Sequence, residues 1–254
     1  MDTARISELL EPFLRPASTT DSCHSEPGQR RGEEPAVPSL AQLQCISTYI
    51  DILLRWNARI NLTAIRNPEE IVTRHFGESL FAARHLFPLA GSAGGSARGR
   101  AALQGRVTGH KEVGALAPVS VADVGSGAGF PGLPIKLWAP DISLTLIESN
   151  HKKAAFLREV TRALTLTDVN IQNARAESIP PGTYDTVTLR AVERFESVLP
   201  TAAALVAPGG RLALLISSAQ QTQPHSALPD LVWSEPTPIP QSRSRILLIA
   251  RRPS

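Results

Sequence analysis

The first third of the chain carries two stretches of helical patterning separated by a polar linker. Apolar residues recur at helical spacing over residues 5–14, which predicts a short helix. Residues 16–38 are rich in Ser, Thr, Pro, Gly and Glu and predict a linker, so we expect an N-terminal extension over 1–38 that is largely flexible. Helical spacing resumes over 39–89 and predicts a small helical subdomain there.

Start signals divide this subdomain into two predicted helices. Ser39 is a favourable N-cap for the first helix. The second helix begins at Asn67-Pro68-Glu69-Glu70, where Asn67 can cap, Pro68 fits the first turn and two carboxylates lie at the positive end of the helix dipole. Its predicted apolar stripe consists of Val72, Phe76, Leu80, Ala83 and Phe87.

Beyond residue 117 the pattern changes to strands that alternate with helices. Residues 90–117 are rich in Gly and Ala and predict a flexible insert. Over 118–254, short apolar runs predict strands at 119–124, 143–148, 169–172, 186–189, 211–216 and 245–250. Helices are predicted at 133–138, after Ser149, and at 195–206, where Pro208-Gly209-Gly210 would end the last one. This alternation predicts an α/β fold with a doubly wound, mostly parallel sheet.

Composition narrows the class of protein. Of the 254 residues, 42% are hydrophobic, which excludes wholesale disorder, and no run approaches the roughly 18 apolar residues of a membrane span. Cys23 and Cys45 are too few for a disulfide framework, and neither they nor the six histidines have metal-ligand spacing, so no metal is expected. The N-terminus lacks the pattern of a secretory signal, and we expect the protein to be located in the reducing cytoplasm.

Positive charge is unevenly distributed. The formal net charge is only +3, but residues 55–111 hold nine basic residues against three acidic ones. Residues 241–254 add four arginines and no acid. Such asymmetry fits contact with a polyanion, and an Arg-rich solvated surface would produce it equally well, so charge alone leaves both interpretations open.

The strongest chemical signal is a glycine-rich turn between a strand and a helix. Glycines at 125, 127, 129 and 132 let the backbone approach a ligand closely. Asp123 ends the preceding strand, and Glu148 ends the next one, where it could accept protons from both hydroxyls of a ribose. Pro131 and Pro134 crowd the position where a pyrophosphate would need free N–H groups, which favours S-adenosylmethionine over a dinucleotide.

These motifs together resemble the RsmG (GidB) family. The resemblance rests on residues 55–63, 74–80, 123–134, 148–157 and 189–192, and the Gly-Phe-Pro-Gly-Leu-Pro run is its most specific part. It implies the class I S-adenosylmethionine-dependent methyltransferase fold with an N-terminal helical subdomain. It also implies methylation of N7 of a guanine in bacterial 16S rRNA, with S-adenosylmethionine as the cofactor.

The resemblance further implies roles for particular residues. Gly125 and Phe130 would contact the cofactor, Ala176 and Glu177 would hold its adenine end, and Arg190 would lie at the methyl-donor pocket. With the loop and ribose candidates, the predicted cofactor-binding residues are Gly125, Gly127, Phe130, Glu148, Ala176, Glu177 and Arg190. From the residues alone, Arg190 is more readily a structural partner of an acidic side chain such as Glu177 or Glu193.

The chain also departs from the family pattern. It has Ile216-Ser217-Ser218 where the family often has Lys-Gly, and Leu189 precedes Arg190 where Ser is common. Segments 16–38 and 90–117 look longer than the family norm. These departures bear on how a substrate docks more than on cofactor binding.

The implied reaction needs no general base, because guanine N7 carries a lone pair and no proton. We therefore expect no catalytic residue. We expect 16S rRNA or the small ribosomal subunit as the partner, no membrane contact and a monomer. The candidate RNA-binding residues are Arg55, Arg59, Arg66, Arg74 and His75, together with the C-terminal arginines. Two alternatives remain, namely a methyltransferase that acts on another substrate and a non-catalytic rRNA-binding protein.

Overall fold

The computed structural model describes residues 1–15, 37–88, 117–190 and 195–254. The predicted linker over 16–38 and the predicted insert over 90–117 lie almost wholly outside these residues. The strands are β1 (Ser120–Val124), β2 (Ser143–Ile147), β3 (Val169–Gln172), β4 (Tyr184–Arg190), β5 (Val206–Ser217), β6 (Val232–Trp233), β7 (Thr237–Pro238) and β8 (Arg245–Arg251).

The helices of the described residues fall before, between and after these strands. They are α1 (Thr3–Leu14), α2 (Leu40–Asn57), α3 (Pro68–Ile71), α4 (Glu78–Leu86), α5 (Gly132–Trp138), α6 (His151–Ala163), α7 (Phe195–Leu205) and α8 (Thr222–Ala227). A π-helix (Val72–Gly77) joins α3 to α4, and short 3₁₀ helices occur at Ala176–Ser178 and Ser218–Gln220. Within the described ranges, no helix combines the length and the apolar character that crossing a membrane would require.

The strands form one sheet in the order β3-β2-β1-β4-β5-β8-β6, with β7 also paired to β8. The first five are parallel, and β8 runs antiparallel to β5, β6 and β7. The predicted doubly wound, mostly parallel sheet is confirmed. Because the strand order reverses between β1 and β4, a crevice is expected at the carboxyl ends of these two strands.

Alternate residues of each strand face two separate cores. Val121 belongs to the core that also contains the buried residues of α1, α2, α4, α5 and α6. Its neighbour Ala122 belongs to the opposite core, which is formed with α7. The helical subdomain therefore covers the same face of the sheet as α5 and α6, and it reaches the glycine-rich turn from that side.

The amino-terminal helix is part of this helical layer. Its side chains Ile6, Leu10, Phe13 and Leu14 are buried. The ring of Phe13 fits against Gly77 so closely that a Cβ there would lie 2.6 Å from a ring carbon. Thr3–Leu14 thus differs from the largely flexible extension expected over 1–38, because an apolar stripe left in water would forgo this burial. Residues 16–36 lie outside the description.

The helix start signals are confirmed. Ser39 forms a capping box with Gln42, and the Asn67 side chain accepts hydrogen bonds from the amides of Glu69 and Glu70. The helix that follows Asn67 is interrupted by the π-helix and ends at Leu86, which the stripe of apolar residues did not indicate.

The end of α7 lies one residue before the predicted end at 206. The helix ends at Leu205, and Val206 pairs with Tyr184 as the first residue of β5. The Pro-Gly-Gly sequence at 208–210 lies within β5, at the irregularity where the register with β4 shifts. The helix thus ends before the Pro-Gly-Gly sequence, which itself belongs to a strand. Three further elements, β6, β7 and α8, were not predicted because they are too short to show a periodic pattern.

Candidate functional site

The glycine-rich turn is fixed to the end of β2. The amides of Gly125 and Ser126 both donate to the carbonyl of Ile147, at 2.9 and 3.1 Å. Gly125 and Gly127 have φ values of +67° and +56°, which favour glycine over residues with side chains. The turn therefore passes the carboxyl end of β2, and at Gly125 and Gly127 no side chain of its own covers the backbone.

Glu148, the predicted ribose acceptor, lies against this turn. Its side chain is buried, Oε2 accepts from the Gly127 amide at 2.9 Å and Oε1 accepts from the Asn150 amide at 2.7 Å. A carboxylate offers about four acceptor positions, so each oxygen retains one for a ligand hydroxyl. Asn173, at the end of β3, fixes the same segment from the other side by donating to the Glu148 carbonyl at 2.8 Å.

Asp123 faces inward rather than toward a ligand. Its Oδ1 accepts from the Thr188 hydroxyl at 2.9 Å and its Oδ2 accepts from the Gly132 amide at 3.2 Å. Burial raises the pKa of Asp123 to about 7, although these hydrogen bonds oppose the shift. Asp123 therefore joins β1 to β4 and to the start of α5.

Phe130 connects the turn to the helical layer. Its ring stacks on Tyr49 at 5.3 Å between centroids and on His75 at 4.7 Å, and Phe76 meets it edge-on at 5.1 Å. Tyr49 also donates to the Ala128 carbonyl. The ring of Phe130 is thus covered by protein on both faces, so a cofactor contact would use its edge or its backbone.

The π-helix presents His75 to β4. The Nδ1 atom of His75 lies 3.1 Å from an Nη of Arg190, and its Nε2 atom lies 2.8 Å from the Thr63 hydroxyl. Because a guanidinium can only donate, Nδ1 accepts and the proton lies on Nε2. Burial, together with the charges of nearby arginines, lowers the pKa of His75 to about 3. A neutral His75 cannot provide a positive charge for an RNA phosphate.

Arg190 takes part in a buried ionic group that we call the Glu78 cluster: Arg74, Glu78, Arg190 and Arg245. The Arg190 guanidinium donates to Glu78 at 3.0 Å and to the Arg74 carbonyl at 2.6 Å. The acidic partner is therefore Glu78 and not Glu177, while Glu193 lies outside the described residues. No signal in the sequence linked Glu78 to Arg190, although Arg74 and Glu78 have the four-residue spacing of a helical ion pair.

Counted over the described residues, the Glu78 cluster carries surplus positive charge. Three guanidinium groups surround one carboxylate, whose side chain is 1% exposed. Among the described residues, the buried Nε atoms of Arg190 and Arg245 have no hydrogen-bond partner. Unsatisfied buried donors with uncompensated positive charge would be stabilised by an anionic ligand group.

The remaining candidates lie along the same edge of the sheet or on the helical layer. Ala176 and Glu177 form the 3₁₀ helix after β3; Ala176 is buried and Glu177 is exposed. Arg59 and Arg66 are exposed, and Arg55 pairs with Glu159 at 3.3 Å. The structure thus brings together Gly127 with Glu148, Arg190 with Arg74 and His75, and His75 with Phe130. Arg55 faces α6 instead.

Comparison with known proteins identifies the family. The family model for GidB, rRNA small subunit methyltransferase G, matches residues 42–88 and 109–232. The chain belongs to this family. The match extends from α2 to the start of β6, so that α1 and Arg245 lie outside it. The predicted RsmG (GidB) membership is confirmed, and with the observed strand order the fold is that of the class I methyltransferases.

Individual relatives agree with the family match. The chain is 35% identical over 165 residues to ribosomal RNA small subunit methyltransferase G of Xanthomonas campestris pv. campestris (strain B100), covering 65% of this chain and 64% of the relative. It is 38% identical over 173 residues to the Halorhodospira halophila protein of the same name, covering 68% of each chain. For the Stenotrophomonas maltophilia (strain K279a) protein, identity is 35% over 184 residues, covering 72% and 71%. The chain spans less than two thirds of the Xanthomonas relative.

Proposed function

We propose that this protein transfers a methyl group from S-adenosylmethionine to N7 of a guanine in the 16S rRNA of the small ribosomal subunit. The observation that carries the proposal is the contact between the Gly127 amide and the Glu148 carboxylate at the carboxyl edge of the sheet. The chain that forms this contact belongs to the RsmG family. The relatives' names supply the class of RNA. The protein would act as a monomer in the cytoplasm, where ribosomal subunits are assembled.

The residues at this edge fit the methyl donor. Gly125 and Gly127 would let the backbone approach the adenosyl group, and Glu148 would accept hydrogen bonds from the ribose hydroxyls. The 3₁₀ helix with Ala176 and Glu177 would border the adenine. The surplus positive charge around Arg190 suits the carboxylate of the methionine part. When bound, the donor supplies an activated methyl group.

The protein's own contribution is alignment. Guanine N7 has a free lone pair, so no side chain has to remove a proton. Holding two reactants in line can lower a barrier by about 7–11 kcal/mol. Asp123, whose pKa burial raises to about 7, has both oxygens in hydrogen bonds to protein and serves to hold β1, β4 and α5 together.

The arginines of the helical layer would contact the RNA backbone. Arg59 and Arg66 are exposed, and Arg74 reaches the surface from the Glu78 cluster with its side chain 47% exposed. Contacts between arginines and phosphates release counterions and make binding dependent on salt. A guanine that is methylated at a buried site must leave its stack, so the target would be a loop or a single-stranded segment.

The experiment is methyl transfer from labelled S-adenosylmethionine to small ribosomal subunits taken from a bacterial strain that lacks this family's enzyme. We expect label in 16S rRNA, recovered as N7-methylguanosine. Transfer to a protein or small molecule in the absence of RNA would identify a methyltransferase with another substrate. Binding of rRNA without binding of S-adenosylmethionine in calorimetry would identify a non-catalytic RNA-binding protein.

A further inference from the structure

A depression opens at the carboxyl ends of β4 and β5, apart from the residues discussed so far. It is lined by Phe195, Glu196, Ser197, Gln220 and Gln223. The first three begin α7, which follows β4. The two glutamines come from the short helices after β5. We call it the Glu196 depression.

Its polar groups are held in defined positions. The carboxamide nitrogen of Gln223 donates to Oε1 of Glu196. The carboxamide oxygen of Gln220 accepts from the Ser217 amide at 3.2 Å, within a capping box. Phe195 is 9% exposed and supplies an apolar wall. An exposed carboxylate and two carboxamides thus converge beside an aromatic ring, a combination of acceptors and donors suited to the edge of a planar polar ring.

The Glu196 depression lies at the same carboxyl edge of the sheet as the proposed methyl donor. Val124 at the end of β1 pairs with Leu189 in β4, which pairs with Leu214 in β5. Two strand spacings therefore separate the ends of β1 and β5, or roughly 10 Å. This separation is close to the width of a purine with a hydrogen bond at one edge. A purine that spans the distance between the ends of β1 and β5 would place one long edge near β1 and the opposite edge near β5.

Methylation at N7 dictates which edge faces which side. The N7 atom must point at the methyl donor, so the Watson–Crick edge, on the far side of the purine, points away from it. In guanine that edge presents two donors, N1–H and N2–H₂, followed by the acceptor O6. Enzymes that act on an unstacked base read it through hydrogen bonds to this edge and through contact with aromatic side chains.

We propose that the Glu196 depression receives the Watson–Crick edge of the target guanine, and that Glu196 makes the enzyme specific for guanine. This inference rests on the proposed function and adds the residue that selects the base. The two oxygens of Glu196 would accept from N1–H and N2–H₂, and the second amide proton of Gln223 would donate to O6. Adenine would place the N1 lone pair against the carboxylate and would be rejected.

The test replaces one acceptor of the Glu196 side chain by a donor, through the substitution Glu196→Gln. Wild-type protein first methylates small-subunit rRNA, and mass spectrometry locates the guanine. The same RNA is then transcribed with that guanine replaced by adenine, and kcat/KM is measured on both RNAs for wild type, Glu196→Gln and Gln223→Ala. Glu235→Gln, an exposed carboxylate after β6, is the matched control.

We expect Glu196→Gln to lower kcat/KM on the guanine RNA roughly 10-fold or more, since a bidentate contact contributes about 1–3 kcal/mol of discrimination. Its carboxamide can accept from N6–H₂ and donate to N1, so the ratio of adenine to guanine methylation should rise. Gln223→Ala should lower guanine methylation with no gain on adenine. The control and the S-adenosylmethionine Kd of each variant should match wild type.

Two results would overturn the inference while leaving the proposed function intact. One is a Glu196→Gln variant with wild-type kcat/KM on guanine RNA and no change in the adenine-to-guanine ratio. The other is a parallel loss on both RNAs together with a weakened S-adenosylmethionine Kd, which would reveal a structural role. If wild-type protein itself neither binds S-adenosylmethionine nor methylates guanine, it is the proposed function that fails.

Discussion

The Gly127 amide and the Glu148 carboxylate lie 2.9 Å apart, so the glycine-rich turn after β1 and the end of β2 form one unit. The second oxygen of Glu148 is held by the Asn150 amide at 2.7 Å. A ribose would therefore meet a carboxylate that is already oriented. Preorganisation of this kind lowers the entropic cost of binding.

Replacing Glu148 by Gln should weaken binding of S-adenosylmethionine. The carboxamide keeps the shape, but it loses the charge and presents an N–H₂ group where an acceptor is needed. Hydrogen bonds to charged groups contribute about 1.5–3 kcal/mol, so Kd should rise roughly 10- to 100-fold in calorimetry. Glu235→Gln is again the control. An unchanged Kd for Glu148→Gln would remove Glu148 from the cofactor site.

Replacing Glu78 by Gln should destabilise the protein strongly. Glu78 is buried and is the carboxylate to which Arg74, Arg190 and Arg245 are paired. Removing one partner of a buried ion pair costs about 3–5 kcal/mol, because the other charge stays uncompensated. Urea unfolding measures this loss. Glu69→Gln, which breaks the exposed pair with Arg5, should cost less than about 1 kcal/mol. Equal effects of the two substitutions would contradict the assigned role of Glu78.

Asp123 makes the stability of the fold depend on pH. Because burial raises its pKa in the folded protein to about 7, the folded state retains a proton that the unfolded chain releases near pH 4. This contribution to stability is therefore complete at low pH and is lost between about pH 4 and pH 7. The pKa of His75 is lowered to about 3 in the folded protein, so its contribution to stability increases with pH over much of this range.

The substitution Asp123→Asn isolates the effect of Asp123. Its carboxamide oxygen can accept from the Gly132 amide, and its N–H₂ group can donate to the Thr188 oxygen, whose hydroxyl donates to Asp123 in the wild type and can turn to the Ala122 carbonyl instead. We expect the variant to gain stability relative to wild type as the pH rises from 4 to 7, with the largest advantage above pH 7. Urea unfolding at several pH values measures the difference, and a difference that is independent of pH would refute a raised pKa.

The salt dependence of RNA binding tests the exposed arginines. If Arg59 and Arg66 each contact a phosphate, changing either to Ala should reduce the slope of log K against log salt by roughly 0.7–1. Arg55→Ala should have a smaller effect, because its guanidinium already pairs with Glu159. Arg5→Ala is the control, because the Arg5 guanidinium is already paired with Glu8 and Glu69. Slopes identical to that of wild type would rule these arginines out as phosphate contacts.

The parts of the site that lie close together in sequence were predictable, and those that depend on distant pairing were not. The glycine-rich turn, the caps at Ser39 and Asn67, and the place of Glu148 at a strand end all follow from short local patterns. The ion pair between Glu78 and Arg190 joins positions 112 residues apart, and no local sequence pattern around either residue indicates it.

Competition between local and tertiary preferences explains the errors in the fold. The Pro-Gly-Gly sequence at 208–210 follows the end of α7, as a helix-stop signal should, yet it lies within β5, where Gly209 and Gly210 form backbone hydrogen bonds with Arg252. The helix Thr3–Leu14 has an ordinary apolar stripe, and only its packing against the π-helix shows that it belongs to the helical layer. The antiparallel placement of β8 follows from the two short strands and the helix α8 that precede it, whose patterns are too brief to predict.

The most direct test of the central proposal is to map N7-methylguanosine in 16S rRNA by mass spectrometry, in cells that carry the gene, lack it, or express Glu148→Gln in its place. We predict one guanine that is methylated in the first strain, unmethylated in the second and strongly undermethylated in the third. The same N7-methylguanosine content at every position in all three strains would contradict the proposal.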